Sequence, residues 1–178
     1  MSTTIERFKT ALNSGGVRPN LFRVRAIEYN GRPMEFFDDN TSLLVKAAAL
    51  PPSTIGSIPV PFRGRTIQIP GDRAEEPWTI TVINDVTMNL RTAFEEWSSS
   101  IQNNDNTGGE SQLNIIKGTA IVDQLSRTPN DTETVIASYK IHGIWPSNVS
   151  QIELSYDTEN TIEEYTVEFQ VDYWTREE

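Results

Sequence analysis

The sequence lacks cysteine altogether and contains one histidine, His142, among its 178 residues. Disulfides, thiolate nucleophiles and cysteine zinc sites are therefore excluded, as is any metal site built on several histidines. No apolar run approaches the ~18 residues that a membrane-spanning helix needs. Basic residues are also few, since 15 Lys and Arg against 25 Asp and Glu give a formal net charge of −10. Such an acidic chain is poorly suited to gripping nucleic acid, which requires clustered cations.

The overall composition is that of a folded protein, with 37% hydrophobic and 22% charged residues. The length suits one domain, which we predict to span residues 1–178. Glu6, Arg7 and Lys9 interrupt the N-terminal segment, so it does not resemble a secretory signal. We therefore expect a soluble protein without a membrane anchor, made in a cytoplasm.

The sequence offers little for catalysis. His142 is the only candidate base that titrates near neutral pH, and no Gly-x-Ser-x-Gly motif accompanies it. Acidic residues are dense in the last 28 positions, where an acid pair for glycoside hydrolysis is conceivable. A solvated face of alternating strands explains them better. We predict no catalytic residue, no metal site and no cofactor.

Two stretches have apolar residues at helical spacing. Ile5, Phe8 and Leu12 predict a short helix within an N-terminal arm, residues 1–20. The clearer stripe predicts a helix that flanks the sheets, and it consists of Leu90, Phe94, Trp97 and Ile101.

Most of the remaining chain alternates apolar and polar residues, which predicts β-strands. These strands begin near Phe22, Trp78, Leu113, Val135, Ile152 and Tyr165. The strongest alternation predicts a strand over 165–173. The predicted fold is mainly β, an antiparallel β-sandwich or barrel with a flanking α-helix.

Residues 43–70 form the most unusual segment, because an apolar run leads into prolines at 51, 52, 59, 61 and 70. Proline cannot donate to a strand ladder, so this segment is predicted to be a projecting hairpin with a bend at 63–65. A lone monomer would expose its apolar side chains, which are Leu50, Ile55, Ile58, Val60 and Phe62.

Short blocks spread over residues 18–174 resemble the tail tube proteins of long contractile-tailed bacteriophages. The blocks are 18–22, 46–51, 58–60, 71–73, 78–82 with Asn84 and Asp85, the Phe94 and Trp97 helix, 143–149 and 172–174. Their order and spacing make the resemblance specific. The sequence departs from the family around 37–41 and 102–112, where members are expected to differ.

The resemblance implies packed antiparallel sheets and hexameric rings that stack into a hollow tube inside a contractile sheath. It implies a tape-measure protein inside the tube, and baseplate and tail-terminator proteins at its ends. Genomic DNA would pass down the bore without specific binding, and the protein would be part of the virion.

Within this resemblance, three groups of residues have predicted roles. The five hairpin residues named above would stack rings on each other. Trp174 lies on the polar phase of its strand, so it either ends the strand or contacts a neighbouring subunit. We favour the contact, as part of a C-terminal arm, 171–178. The acids predicted to face the bore and repel DNA are Glu153, Asp157, Glu168 and Asp172. Two alternatives remain open here: the acids could line the outside, and the hairpin could fold back on its own core.

Other functions also remain open at this point. A baseplate or tail-terminator protein of similar fold would form one ring, and the inner tube of a contractile injection system would form a related polymer. A carbohydrate-binding β-sandwich would use tryptophans among Trp78, Trp97, Trp145 and Trp174. A small acid-based hydrolase would use two carboxylates.

Overall fold

The computed structural model describes residues 4–12, 16–103, 105–106, 108–126 and 134–177, and these contain ten strands and three α-helices. The helices are α1 (Thr4–Ala11), α2 (Asn89–Ile101) and α3 (Leu113–Ile116), and a 3-10 turn spans Thr41–Leu44. The strands are β1 (Phe22–Tyr29), β2 (Arg32–Pro33), β3 (Val45–Ala48), β4 (Thr54–Phe62), β5 (Arg65–Ala74), β6 (Trp78–Ile83), β7 (Gly118–Ser126), β8 (Thr134–Val149), β9 (Glu164–Gln170) and β10 (Tyr173–Glu177). Residues 1–3, 13–15 and 178 of the predicted arms lie outside the described residues.

The main sheet is antiparallel and has the order β2-β1-β7-β8-β9-β6-β3, with β10 also paired to β8. Strand β8 is 16 residues long and divides the sheet into two layers. Its residues 134–144 pair with β7, and residues 138–142 pair with β10. Its last part, 145–149, pairs with β9. We call β2, β1, β7, β8 and β10 the first layer, and β8, β9, β6 and β3 the second layer. The mainly β, antiparallel prediction is confirmed.

The change of layer occurs where β8 contains Gly143, whose φ is +67°. The Asp172 side chain lies directly over this glycine, so a Cβ atom at position 143 would collide with the Asp172 carboxylate. Lys117 Nζ approaches that carboxylate at 2.7 Å, and the Asp172 amide donates to the His142 carbonyl at 3.1 Å. Glycine is therefore required at this corner by both backbone conformation and space.

Helix α2 packs its predicted stripe into the core between the layers. Leu90, Phe94 and Trp97 are buried, as predicted, together with Ala93. The Trp97 ring stacks on Tyr29 of the first layer at 4.8 Å and lies 5.9 Å from Phe169 of the second. One tryptophan therefore connects both layers to the helix.

Strands β4 and β5 form a separate two-stranded sheet, which we call the hairpin (54–74). Its turn consists of Arg63 and Gly64, with φ of +47° and +82°, as the predicted bend requires. The bounds differ from the predicted 43–70. Residues 43–48 lie in the 3-10 turn and β3, because buried Val45 pairs with Val82 of β6.

The strand predicted to begin near Ile152 is not formed, and this prediction is wrong. Residues 151–163, which we call the acidic loop, contain no regular element. Ser155 and Thr158 instead make local turn bonds: the Ser155 hydroxyl accepts from the Asp157 amide at 3.2 Å, and the Thr158 hydroxyl donates to the Ser155 carbonyl at 2.8 Å. These bonds compete with a strand ladder, and alternation without a partner strand does not form a sheet.

The predicted strand 165–173 is interrupted at Val171 and Asp172, where the chain crosses the Gly143 corner. A bulge between Val24 and Ala26 shifts β1 in a similar way. Val24 and Ile27 are both buried, whereas strict alternation from Val24 would place Ala26 inward. Each irregularity moves the inward phase by one residue.

Candidate assembly surfaces

One face of the hairpin is apolar and exposed. The register pairs Ile58 with Ile69 and Val60 with Ile67, and Phe62 follows at the turn. All five side chains are exposed, the least being Val60 at 37%. The opposite face combines prolines 59, 61 and 70 with polar side chains, of which the Ser57 hydroxyl donates to Gln68 Oε1 at 2.6 Å. The hairpin is therefore amphipathic, and its apolar side has no cover within the described chain.

The structure brings together three of the five predicted stacking residues, Ile58, Val60 and Phe62. Ile55 lies beyond a bulge and pairs with Arg73, while Leu50 is exposed in the segment before β4. Ile67 and Ile69 belong to the apolar face, although the sequence analysis did not assign them to it. The turn at 63–64 could have revealed them from the sequence, because a two-residue turn fixes which residues of β4 and β5 pair with each other.

The prolines of β4 lie where they cost no hydrogen bond. Phe62 and Arg65 flank the turn and form a hydrogen-bonded pair, so Pro61 and Pro59 fall at non-hydrogen-bonded positions. Their nitrogens therefore point to the free edge of β4, which lacks donors at both positions.

The hairpin is basic on an acidic chain. Residues 54–74 contain Arg63, Arg65 and Arg73 against Asp72, which gives +2 within a total of −10. None of these arginines forms an ion pair with a described residue. Arg63 lies over the Phe62 ring at 5.3 Å, so cation and apolar face are adjacent at the tip.

The four predicted bore acids lie on three different parts of the fold. Glu153 and Asp157 are exposed in the acidic loop, and not on a strand as predicted. Glu168 lies on the outward face of β9, between Thr79 and Asn148. Asp172 lies at the corner, where Lys117 neutralises its charge. That these four acids face the bore stays a prediction.

Trp174 is partly buried against its own chain. The strand interruption resets the phase, so its indole packs on the core, 5.8 Å from the Tyr139 ring, and donates to the Pro52 carbonyl at 2.9 Å. The sequence placed Trp174 on the polar side of its strand and inferred that a neighbouring subunit covers it. That argument is wrong, because its own chain partly covers the indole. Its role at an interface stays a prediction.

Helix α1 presents a second uncovered apolar stripe. Ile5 and Phe8 are 66% and 64% exposed, and Leu12 is exposed as well. The stripe was predicted from its spacing, and within the described residues nothing covers it.

The acidic loop presents a third apolar surface, which the strand prediction concealed. Leu154 is 80% exposed, and Tyr156 and Ile162 are also exposed. The loop contains four acids and no basic residue: Glu153, Asp157, Glu159 and Glu163. Of these, Glu163 accepts from Asn84 Nδ2 at 3.0 Å, while the other three make no ion pair with a described residue.

A buried acid on the outer face of the first layer also escaped the sequence analysis. Asp123 is fully buried beneath Arg23 and Arg25, whose nearest nitrogens lie 3.6 Å and 3.2 Å from its Oδ2. Ser138 donates to its other oxygen at 2.5 Å. These residues, with Glu177 on β10, form a row across four strands.

His142 lies within the first layer as a structural residue. Its ring stacks on Tyr173 at 4.5 Å, and Nε2 is 3.1 Å from Thr175 Oγ1. Among the described residues, no three His, Cys, Asp or Glu side chains are grouped as metal ligands. No described helix is long and apolar enough to cross a membrane.

Comparison with known proteins matches residues 17–177 to the phage tail tube protein family. The chain belongs to this family. Tail tube protein gp19 of Enterobacteria phage T4 is 39% identical over 167 residues, which cover 92% of this chain and 94% of that protein. The family recognised from the ordered sequence blocks is thereby confirmed.

Solved structures show the same fold for this tail tube protein. A chain of the anti-feeding prophage baseplate, six-fold symmetrised, superposes with a TM-score of 0.66 over 92% of this chain and 96% of that one, at 10% identity. A chain of an extracellular contractile injection system, in its sheath–tube complex, has a TM-score of 0.60 over 99% of both chains, at 12% identity.

Proposed function

We propose that this tail tube protein of a contractile phage forms hexameric rings that stack into a hollow, DNA-conducting tube. The observation that most supports this is the hairpin, which pairs only with itself and exposes an apolar face. An isolated two-stranded hairpin is marginally stable in water, so it needs a partner surface. A second copy of the chain, in the adjacent ring, supplies that surface.

The first layer supplies enough strands for a shared barrel. Apart from the two-residue β2, its strands are β1, β7, β8 and the five-residue β10, so six copies contribute about 24. With strands ~4.8 Å apart and tilted ~40°, the barrel diameter is about 48 Å. Inward side chains leave about 35–40 Å, which admits a duplex about 20 Å across with a layer of water.

The acidic charge is suited to a surface along which DNA slides. Six copies of −10 give −60 per ring. Glu168 lies on β9 of the second layer, so it lines the bore only if the four strands of that layer, rather than those of the first, form the barrel. In that arrangement its carboxylate repels phosphate over about 8 Å at physiological salt. Glu153 and Asp157 contribute if the acidic loop reaches the bore, whereas Asp172 is compensated by Lys117.

The surrounding partners follow from this role. A sheath protein encloses the tube, a tape-measure protein fills it before DNA does, and baseplate and terminator proteins bind its ends. Support comes from the similar chains, which belong to a prophage baseplate, a tube-terminating cap and a sheath–tube complex. Assembly takes place in the host cytoplasm, and the subunit works without catalysis or cofactor.

Removal of the hairpin tests this function. Thr54 and Ala74 are paired, so residues 54–74 can be excised and the ends joined by a short Gly-Ser linker without stretching the body. We expect rings that do not elongate, measured by negative-stain microscopy and sedimentation. Long tubes from this variant would contradict the proposal.

A matched pair of point variants separates the two hairpin faces. Ile58→Ser with Ile67→Ser makes the apolar face polar, whereas Ser57→Ala with Gln68→Ala changes the opposite face. Only the first pair is expected to stop elongation. If the unaltered protein forms single rings that never elongate, even on a baseplate, the alternative function of a baseplate or terminator ring is favoured.

A further inference from the structure

We infer that the hairpin of one subunit docks onto the acidic loop (151–163) of a subunit in the adjacent ring. This inference rests on the proposed function and names the acceptor that ring stacking needs. The hairpin ends at Ala74, shortly before β6 begins at Trp78, whereas the acidic loop leads into Glu164, which pairs with Ile83 at the other end of β6. The two segments therefore leave the body at opposite ends of this strand.

The symmetry of a tube requires two different surfaces. A surface that binds its own copy closes a two-fold dimer, whereas an open polymer needs head-to-tail contacts between unlike patches. The hairpin therefore requires an acceptor elsewhere on the chain, and that acceptor must be exposed and partly apolar.

Two segments outside the hairpin each expose three large apolar side chains within a short stretch. The acidic loop exposes Leu154, Tyr156 and Ile162, and the α1 segment exposes Ile5, Phe8 and Leu12. Either could cover the isoleucines of the hairpin. Large exposed aromatic and aliphatic side chains in an irregular loop are typical of an interaction surface.

Charge decides between them. The hairpin is +2, and the acidic loop has four acids without a basic residue, so they attract. The described part of α1 contains Arg7, Lys9 and Glu6, which give it a net charge of +1. It would therefore repel the basic hairpin. Complementary charges at an interface fix its register and exclude wrong partners.

Both surfaces contain charged side chains that form no ion pair within the described part of the chain. Arg63, Arg65 and Arg73 form no ion pair with a described residue, and neither do Glu153, Asp157 and Glu159. The Arg63 and Phe62 tip combines a cation with an aromatic ring, as the Asp157 and Tyr156 position combines an anion with one. Contact between the hairpin tip and the acidic loop pairs their opposite charges and covers the exposed apolar side chains of both.

The hairpin is long enough to reach another ring. Strand β4 has nine residues, which corresponds to about 30 Å of extended chain. Its pairing lies wholly within the hairpin, so the tip is distant from its own main sheet. This length lets the hairpin project beyond its own body toward a neighbouring copy.

A charge swap tests the pairing. Arg63→Glu with Arg65→Glu reverses the hairpin tip, and Asp157→Lys with Glu159→Lys reverses the loop. Each exposed ion pair is weak, but one ring junction repeats it six times, so either reversal should weaken ring-on-ring association by on the order of 100-fold. Combining all four substitutions should restore tubes, measured by sedimentation and by tube length in micrographs.

The matched control restores net charge at a different place. Glu96 is exposed on α2 and Asp105 lies in the following loop, so Glu96→Lys with Asp105→Lys has the same charge as the loop reversal. Combined with the reversed hairpin, it should not restore tubes. Rescue by this control, or no rescue by the true swap, would refute the hairpin–loop contact.

Two further outcomes separate this inference from the proposed function. If the unaltered protein makes neither rings nor tubes on a nucleating base, the tube function itself fails. If it makes tubes and the reversed hairpin elongates equally well, only the acceptor assignment is wrong.

Discussion

Gly143 determines, at the scale of one residue, where the sheet changes layer. Its positive φ and the carboxylate above it leave no room for a side chain. The sequence places Asp172 on the polar phase of a strand, which predicts that its side chain faces a bore. Its pairing with Lys117 depends on a chain crossing that local alternation does not encode.

Gly143→Ala should lower the free energy of unfolding by about 2 kcal/mol, because it adds backbone strain and displaces Asp172. Urea unfolding of the subunit measures this. Gly31→Ala is the control, since Gly31 also has positive φ but has open space around its missing Cβ. An equal loss in both variants would show that the contact with Asp172 is unimportant.

His142 should make stability depend on pH. Its pKa is lowered by desolvation and by nearby Lys140, against the opposing charge of Glu177. The unfolded chain therefore binds this proton more readily than the folded one, so stability falls as pH drops below about 6.5. His142→Gln should reduce the loss between neutral pH and about pH 5, measured as the difference in urea midpoints. An unchanged difference would exclude His142 as a source.

At the scale of elements, the sequence predicted what local periodicity determines. Helix α2 was predicted from a stripe that the core later buries, and the hairpin from its prolines and its Arg63–Gly64 bend. The acidic loop was mistaken for a strand, because Ile152, Leu154 and Tyr156 alternate but have no partner strand. Register, bulges and partner strands depend on distant parts of the chain, so alternation alone could not reveal them.

Strand β10 should depend on the indole of Trp174. Trp174→Phe keeps most of the packing but removes the hydrogen bond to Pro52, which should cost about 1 kcal/mol. Backbone amides of 173–177 should then exchange faster with deuterium. Trp145→Phe is the control, since its indole N–H has no partner among the described residues; equal effects would contradict the role of the bond.

At the scale of the whole molecule, the charge of the tube interior should affect DNA ejection. Glu168→Lys places a cation on the outward face of the second layer, and Asp172 is unsuitable for this test because Lys117 already pairs with it. If that face lines the bore, ejection from assembled particles should slow, most strongly at low salt. Glu96→Lys on α2 is the control. Unchanged ejection rate and salt dependence would place Glu168 outside the bore.

The two prolines of β4 also concern the subunit before it enters any ring. A flat strand with vacant amide groups invites another strand to add alongside it, and repetition of that step produces fibrils. Pro59 and Pro61 leave gaps at successive outward positions, so lateral growth along this edge stops at once. The edge of β4 is therefore a poor template for strand addition, while the apolar face of the hairpin remains accessible to a partner surface.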